Sequence, residues 1–374
     1  MMNVLFVAAL PPPISGQSKA SGTIFDELVR LGHSVVPVNL NKQSLVSGNF
    51  TLKRLVEILS VAKQIRLGRK QADLIYLSLA ESTLGNLRDL LFVALLRKSP
   101  TRVVVHILGG SRLRSIVSGN GWLARLNKGV MKRADAAIVE GPVNSGIFSN
   151  SLRPDQIFVV ENSAEDYLFS NKQEIESKYN DLTTLSILYL SNLLTGKGYL
   201  ELAQAAIALQ SEMANRVVFR FVGGFESKDA EDQFHALVNG YPNIEYLGSF
   251  IDGEEKKKLY LNSHIFCLPT YYPYEGQPIS ILEAYATGCV VITTAHSGIP
   301  FVFSDSTNGF LVQPKSTSSI VDAIRRAASD PKLLVEIAQR NFEQASERNT
   351  PKLFRDRIVN VLTSETSESG RLQK

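Results

Sequence analysis

The chain has 374 residues, 44% hydrophobic and 20% charged, with a net charge of +4, an ordinary globular composition that leaves room for two domains with a core each. The charge is segregated: residues 1–165 carry 20 Lys and Arg against 11 Asp and Glu, but the basic residues are dispersed and lack interleaved aromatics, which argues against a nucleic-acid partner. The two cysteines, Cys267 and Cys289, lie in apolar runs as reduced thiols do, and a cytoplasmic compartment is expected.

The opening segment MMNVLFVAALPPP lacks a basic lead and is too short to span a bilayer, so a buried first strand is expected and not a signal peptide. Five further runs follow: SVVPV, DLIYLSL, RVVVHIL, AAIVE and IFVVE. Their continuous apolar character, interrupted by helix-period stretches, predicts parallel strands covered by helices on both faces. Residues 166–184 are polar and predict a linker. A second series then runs LSILYLS, VVFRFVG, NIEYLG, HIFCLP, CVVIT and GFLVQ. The expected architecture is α/β: two doubly wound Rossmann-like domains facing across a cleft, over 1–165 and 185–349. Helical periodicity continues to about residue 364, with the helix at about 350–364 expected to pack back on the first domain. The polar tail 365–374 is expected to be disordered.

In such folds ligands bind beyond the carboxyl ends of strands, so the loops there hold the candidate site residues. The segment HIFCLPTYYPYEGQPISILEAYATGCVVIT reads strand, loop, helix, strand, with Pro278 in the first helical turn and Gly288 at its end. Glu275 falls in the loop and Glu283 about a turn and a half into the helix, so two carboxylates could meet one ligand at different depths. Backbone N–H groups around Gln277, Pro278, Ile279 and Ser280, at the positive end of the helix dipole, suit a phosphate. A sugar-nucleotide fits that division of labour.

The stretch EGQPISILEAYATGCVVIT resembles the two-glutamate signature of the family 4 retaining glycosyltransferases, enzymes with the two-Rossmann GT-B fold. The resemblance implies that Glu275 contacts the donor sugar and supports transition-state charge, and that Glu283 holds the ribose hydroxyls. LSNLLTGKGYLE is similar to the family's phosphate-binding segment: Lys197 matches its lysine, while Asn192 stands where many members have arginine. The loop ALPPPISGQSKASG, with Gly16, is similar to the glycine-containing loop that closes over the donor phosphate. Gly223 and Gly224 resemble a loop near the donor sugar, or form a plain tight turn. HSGIP at 296–300 and NGFLVQP at 308–314 extend the likeness, which is close over about 185–330 and thin over 1–165.

In RVVVHILGGSRL, many relatives have a histidine where this chain has Leu108. His106, two residues earlier on the same strand face, is either a catalytic substitute or a buried structural histidine. Arg112 and Arg114, just after, are candidates for an anionic acceptor or a donor phosphate. No D-x-D metal motif accompanies these blocks, so neither metal nor cofactor is expected.

The resulting expectation is a metal-independent retaining transferase using a nucleotide-sugar, most simply a UDP-sugar, with a glycan or polyprenyl-diphosphate-linked acceptor and peripheral membrane contact through the basic half. An epimerase or hydrolase of the same fold and a non-catalytic sugar-nucleotide-binding subunit are the alternatives. An NAD enzyme is disfavoured, because PPPISGQSKASG replaces the G-x-G-x-x-G such an enzyme needs.

Overall fold

The computed structural model describes residues 1–12, 16–41, 52–96 and 100–364. The chain divides into two compact units, 1–161 with 354–374, and 162–353.

In the first unit, β1 (Asn3–Ala8), β2 (Ser34–Asn39), β3 (Leu74–Leu79), β4 (Arg102–Ile107), β5 (Ala136–Val139) and β6 (Ile157–Val159) form one parallel sheet in the order β2-β1-β3-β4-β5-β6. Alternate side chains leave opposite faces of a strand, so an unbroken apolar run serves two cores at once. Leu5, Val7, Ile75, Leu77, Val103 and Val105 enter one core, with residues of the helices Leu52–Gly68, Thr83–Leu95 and Trp122–Met131. Val4, Phe6, Leu74, Tyr76 and Val104 enter the other, with Ile24 and Leu28 of the helix Gly16–Arg30 and Phe354, Ile358 and Leu362 of the helix Pro351–Thr363. Arg102 at the start of β4 fastens that last helix: its guanidinium donates to the carbonyls of Val361, Leu362 and Ser364 at 2.7–2.8 Å, where the helix leaves acceptors unsatisfied.

In the second unit, β7 (Leu185–Leu190), β8 (Val217–Val222), β9 (Ile244–Tyr246), β10 (Ile265–Leu268), β11 (Val290–Thr294) and β12 (Gly309–Val312) form a parallel sheet in the order β12-β11-β10-β7-β8-β9. Each unit is a doubly wound Rossmann-like α/β domain. In both, the direction of winding reverses beside the first strand, between β1 and β3 and between β7 and β10, and these crevices are where such sheets take ligands.

The stretch 166–184 is not the linker expected from its polarity. It belongs to the second unit, where Leu168, Ile175 and Tyr179 are buried in the core. Its helix Lys172–Lys178 is fixed by a capping box between Asn171 and Glu174. The chain passes between units instead at 161/162 and 353/354. The tail 365–374 lies outside the described residues.

Candidate functional site

Beyond the carboxyl ends of β7 and β10, two loops of the second unit meet at the reversal point. After β7 the chain runs through Lys197 to Gly198, which opens the helix Tyr199–Ala208 in a left-handed conformation with φ of 82°. A side chain at Gly198 would overlap the Pro269 carbonyl at the end of β10, so only glycine lets the two loops approach. After β10, Thr270 to Gln277 lead to Pro278, the N-cap of the helix Ile279–Ala286.

Glu275 in this second loop is 6% exposed. Lys197 Nζ lies 3.0 and 2.8 Å from its two carboxylate oxygens, and Thr270 Oγ1 donates to Oε2 at 2.9 Å. The ammonium group also stands 5.1 Å from the centroid of the Tyr272 ring, a cation–π contact that adds to its fixation. The loop is braced from behind by 296–298. Ser297 Oγ donates to the Glu275 carbonyl at 2.6 Å, and Gly298 lies so close to the Gly276 carbonyl that an added Cβ would sit 2.6 Å from it.

The two helices that start here differ from others in the unit. Those beginning at Lys172, Lys228, Gly253, Thr317 and Pro331 are capped by the side chains of Asn171, Ser227, Asp252, Ser316 and Asp330. Gly198 and Pro278 offer no side-chain cap. Helix N-termini carry unsatisfied N–H groups and about half a positive charge, so two uncapped ends beside a lysine have the chemistry to receive an anion.

Glu283, in the second turn of the helix Ile279–Ala286, is 4% exposed and held on both oxygens: Lys256 Nζ lies 2.5 Å from Oε1, and Tyr260 Oη donates to Oε2 at 3.0 Å. Burial and the Glu283 charge raise the Tyr260 hydroxyl pKa well above its ordinary value, so it stays a donor. Lys256 reaches on to Glu165 at 3.5 Å. Neither Lys256 nor Tyr260 was singled out from the sequence. Their spacing from Glu283 has no local period, and only the fold brings the helix Gly253–Leu261 beside it.

Gln277 is 5% exposed; its Oε1 accepts from the Asn162 backbone N–H at 2.7 Å and its buried Nε2 has no hydrogen-bond partner among the described residues. Ile279 is the first residue of its helix. Asn192 is exposed after β7, and its carbonyl accepts from Tyr189 Oη at 3.2 Å. Gly223 and Gly224 close the turn after β8, where Tyr246 Oη donates to the Gly223 carbonyl and Leu193 N to that of Gly224.

In the first unit, His106 is a core residue and not a strand-end group facing a ligand. It is 1% exposed on β4, its Nδ1 lies 2.7 Å from Tyr76 Oη, and burial pulls its pKa down to about 3. Two residues back from Leu108 is one pleat deeper, and at that depth the His106 side chain is enclosed, which favours the structural alternative over the catalytic one. Gly16 starts its helix with open space around it, so close packing within the chain does not demand glycine there. Residues 13–15 of the loop before it lie outside the described residues.

Arg112 is exposed, and its backbone N–H donates to Glu81 Oε2 at 3.2 Å; Arg114 donates to Asn144 Oδ1 at 3.3 Å. Glu81, just past β3 at the reversal point, was also missed by sequence reasoning. Burial raises its pKa, against the backbone N–H groups of Gly110 and Arg112, which lower it.

A cavity of about 930 Å³ opens elsewhere on the second unit, among Ser186, Val218, Arg220 and His264 at the amino ends of its strands, away from these groups. Among the described residues, no group of three or more His, Cys, Asp and Glu is disposed to hold a metal ion.

Residues 171–344 match the family described as glycosyl transferases group 1, a stretch that lies wholly within the second unit. The match takes in the Lys197, Glu275 and Glu283 segments and leaves out the first unit. Among curated proteins, sucrose synthase 1 of Zea mays is 25% identical over 166 residues, 40% of this chain and 20% of its own length. The N,N'-diacetylbacillosaminyl-diphospho-undecaprenol alpha-1,3-N-acetylgalactosaminyltransferase of Campylobacter jejuni is 29% identical over 180 residues, 48% of this chain and 45% of its own. The chain thus spans less than half the length of these relatives. The crystal structure of Anabaena HepE in complex with UDP and glucose is similar with a TM-score of 0.71 at 17% identity, over 98% of this chain and all of that one, a likeness of fold.

Proposed function

We propose that the protein is a retaining, metal-independent glycosyltransferase that moves a sugar from a nucleotide-sugar, most simply a UDP-sugar, to a glycan or polyprenyl-diphosphate-linked acceptor in cell-surface polysaccharide synthesis, at the cytoplasmic face of a membrane. The observation that carries this reading is the Lys197–Glu275 pair between two uncapped helix N-termini at the β7/β10 reversal. Departure of a nucleoside diphosphate from an anomeric carbon leaves positive charge on the sugar and negative charge on the phosphates, and a catalyst must meet both. Lys197 and the helix ends face the phosphates; Glu275 faces the sugar; Glu283, oriented by Lys256 and Tyr260, takes the ribose hydroxyls on its remaining lone pairs. In this scheme the diphosphate draws Lys197 from Glu275 and so releases the carboxylate as the donor binds. These fixed positive groups supply the neutralisation for which other transferases use a divalent ion.

The lipid-linked acceptor is supported by the name of the Campylobacter relative, and the UDP donor by the HepE complex. The burial of His106 favours a second reading, a sugar-nucleotide-binding subunit without turnover. Mass spectrometry of products from UDP-, GDP- and ADP-sugars with membrane extract as acceptor source separates the two. Transfer that disappears in Glu275→Ala supports the enzyme, nucleotide binding without transfer supports the subunit, and consumption of donor without acceptor indicates a hydrolase or epimerase.

A further inference from the structure

The helices Leu52–Gly68, Thr83–Leu95 and Trp122–Met131 lie side by side on one face of the first sheet, each touching the next. A helix at a protein surface ordinarily turns polar residues outward. Here Leu52, Leu55, Val56 and Leu59 form one stripe at helical spacing and are 83%, 43%, 65% and 57% exposed. Trp122, at the start of the third helix, is 67% exposed. The inner face of the first helix is filled by Val61 and Ile65, so the outer stripe is surplus to the core.

The charge of this layer is predominantly positive. The three helices carry seven Lys and Arg against two acidic residues, Glu57 and Asp89, and Asp89 is buried and paired with Arg88 at 2.7 Å. Lys53, Lys63, Arg66, Arg125 and Lys128 are exposed. Among the described residues, no helix is long and apolar enough to cross a membrane.

We infer that this face docks on an anionic lipid bilayer, with the Leu/Val stripe and Trp122 entering the interface and the Lys and Arg heads meeting lipid phosphates. Apolar side chains interspersed with cations suit that medium, where the stems sink and the charges stay wet. A protein partner fits less well, since the centre of a protein interface is depleted in lysine. The inference rests on the membrane-linked acceptor proposed above and names the surface that would meet the membrane.

Trp122 is the single tryptophan of the chain, so its fluorescence reports insertion directly. The full chain is mixed with vesicles of phosphatidylcholine alone or with added phosphatidylglycerol, and emission and flotation are followed against salt. The expected result is a blue shift and flotation with the anionic vesicles only, weakened by salt. L52S/V56S/L59S is expected to lower the partition coefficient at least about tenfold, and K63Q/R66Q/K128Q about 100-fold. Both variants should keep transfer to a water-soluble acceptor. Unshifted Trp122 emission, equal binding to neutral vesicles, or variants that bind like the parent would overturn the inference. So would dimerisation in light scattering abolished by L52S/V56S/L59S, which makes the face an interface between copies. If either triple variant fails to fold, Trp122→Ala decides by flotation, with reduced binding expected and unchanged binding contrary. Transfer without vesicle binding defeats this inference alone, whereas vesicle binding without transfer on any donor defeats only the functional proposal.

Discussion

Lys256 Nζ lies 2.5 Å from Glu283 Oε1, with the two side chains only 9% and 5% exposed. A buried pair of this kind gains little over an apolar pair, but breaking it on one side leaves a charge without compensation. Lys256→Met is therefore expected to destabilise the second unit by about 3–5 kcal/mol. Lys256→Met with Glu283→Gln should recover part of that loss, since no charge is then stranded. Urea unfolding of the three proteins checks this; a double variant no more stable than the single would show that packing and not charge governs the site.

Lys197 and Glu275 are expected to separate binding from turnover. Lys197→Ala should weaken UDP at least about tenfold, the scale of a charge-assisted hydrogen bond. Glu275→Gln removes the carboxylate that occupies Lys197, so UDP affinity should hold or rise while transfer falls at least about 100-fold. Calorimetry with UDP and steady-state transfer rates provide the readings. Parallel loss of binding and rate in Glu275→Gln would contradict the division of roles.

Gly198→Ala is expected to cost about 1–2 kcal/mol for the left-handed backbone alone, and its Cβ must also displace the Pro269 carbonyl. Because the same residue opens the helix end assigned to the diphosphate, UDP affinity should fall along with stability. An unfolding midpoint and a UDP affinity like those of the parent would mean that the two loops can part without consequence.

Two buried histidines set an acid limit. Burial lowers His106 in the first unit to about 3, and His264 in the second to about 4 with a further push from Lys178, against an ordinary 6.5. Folded values below the unfolded one mean that the unfolded chain takes up protons first. The associated stability is whole above pH 6.5 and is lost towards pH 4 for His264 and pH 3 for His106. Each contributes a slope of up to ~1.4 kcal/mol per pH unit. Denaturant titrations at pH 7 and pH 5 should show the first unit of His106→Gln to be less acid-sensitive than that of the parent; an unchanged slope would exclude His106 as the cause.

The sheets could be read from the sequence because their strands are covered on both faces, so VVVHI and CVVIT carry no polar alternation that a loop or an exposed helix could imitate. The Glu275 loop was legible for a related reason, since a strand, a proline and a glycine punctuate it. The stretch 166–184 misled because its burial depends on Leu168, Ile175 and Tyr179, three residues spread through polar surroundings and too sparse to mark a periodicity. His106 could not be placed because the depth of a residue along a strand is fixed by where neighbouring strands end. The Lys256–Glu283 contact joins two helices whose adjacency has no local signature.

The helix Pro351–Thr363, gripped at its end by Arg102, also bears on biosynthesis. The second unit has all its parts once Leu353 is made, and its two borders are tied together, Asn349 Nδ2 donating to the Asn162 carbonyl at 3.1 Å and Ala164 N to that of Asn349 at 3.1 Å. The first unit, although synthesised earlier, has one side of its sheet covered only by the helix Gly16–Arg30 until the segment from residue 354 has left the ribosome. Completion on the ribosome therefore runs against the order of the chain, and a nascent chain stalled before Phe354 would hold a finished second unit and an open first one.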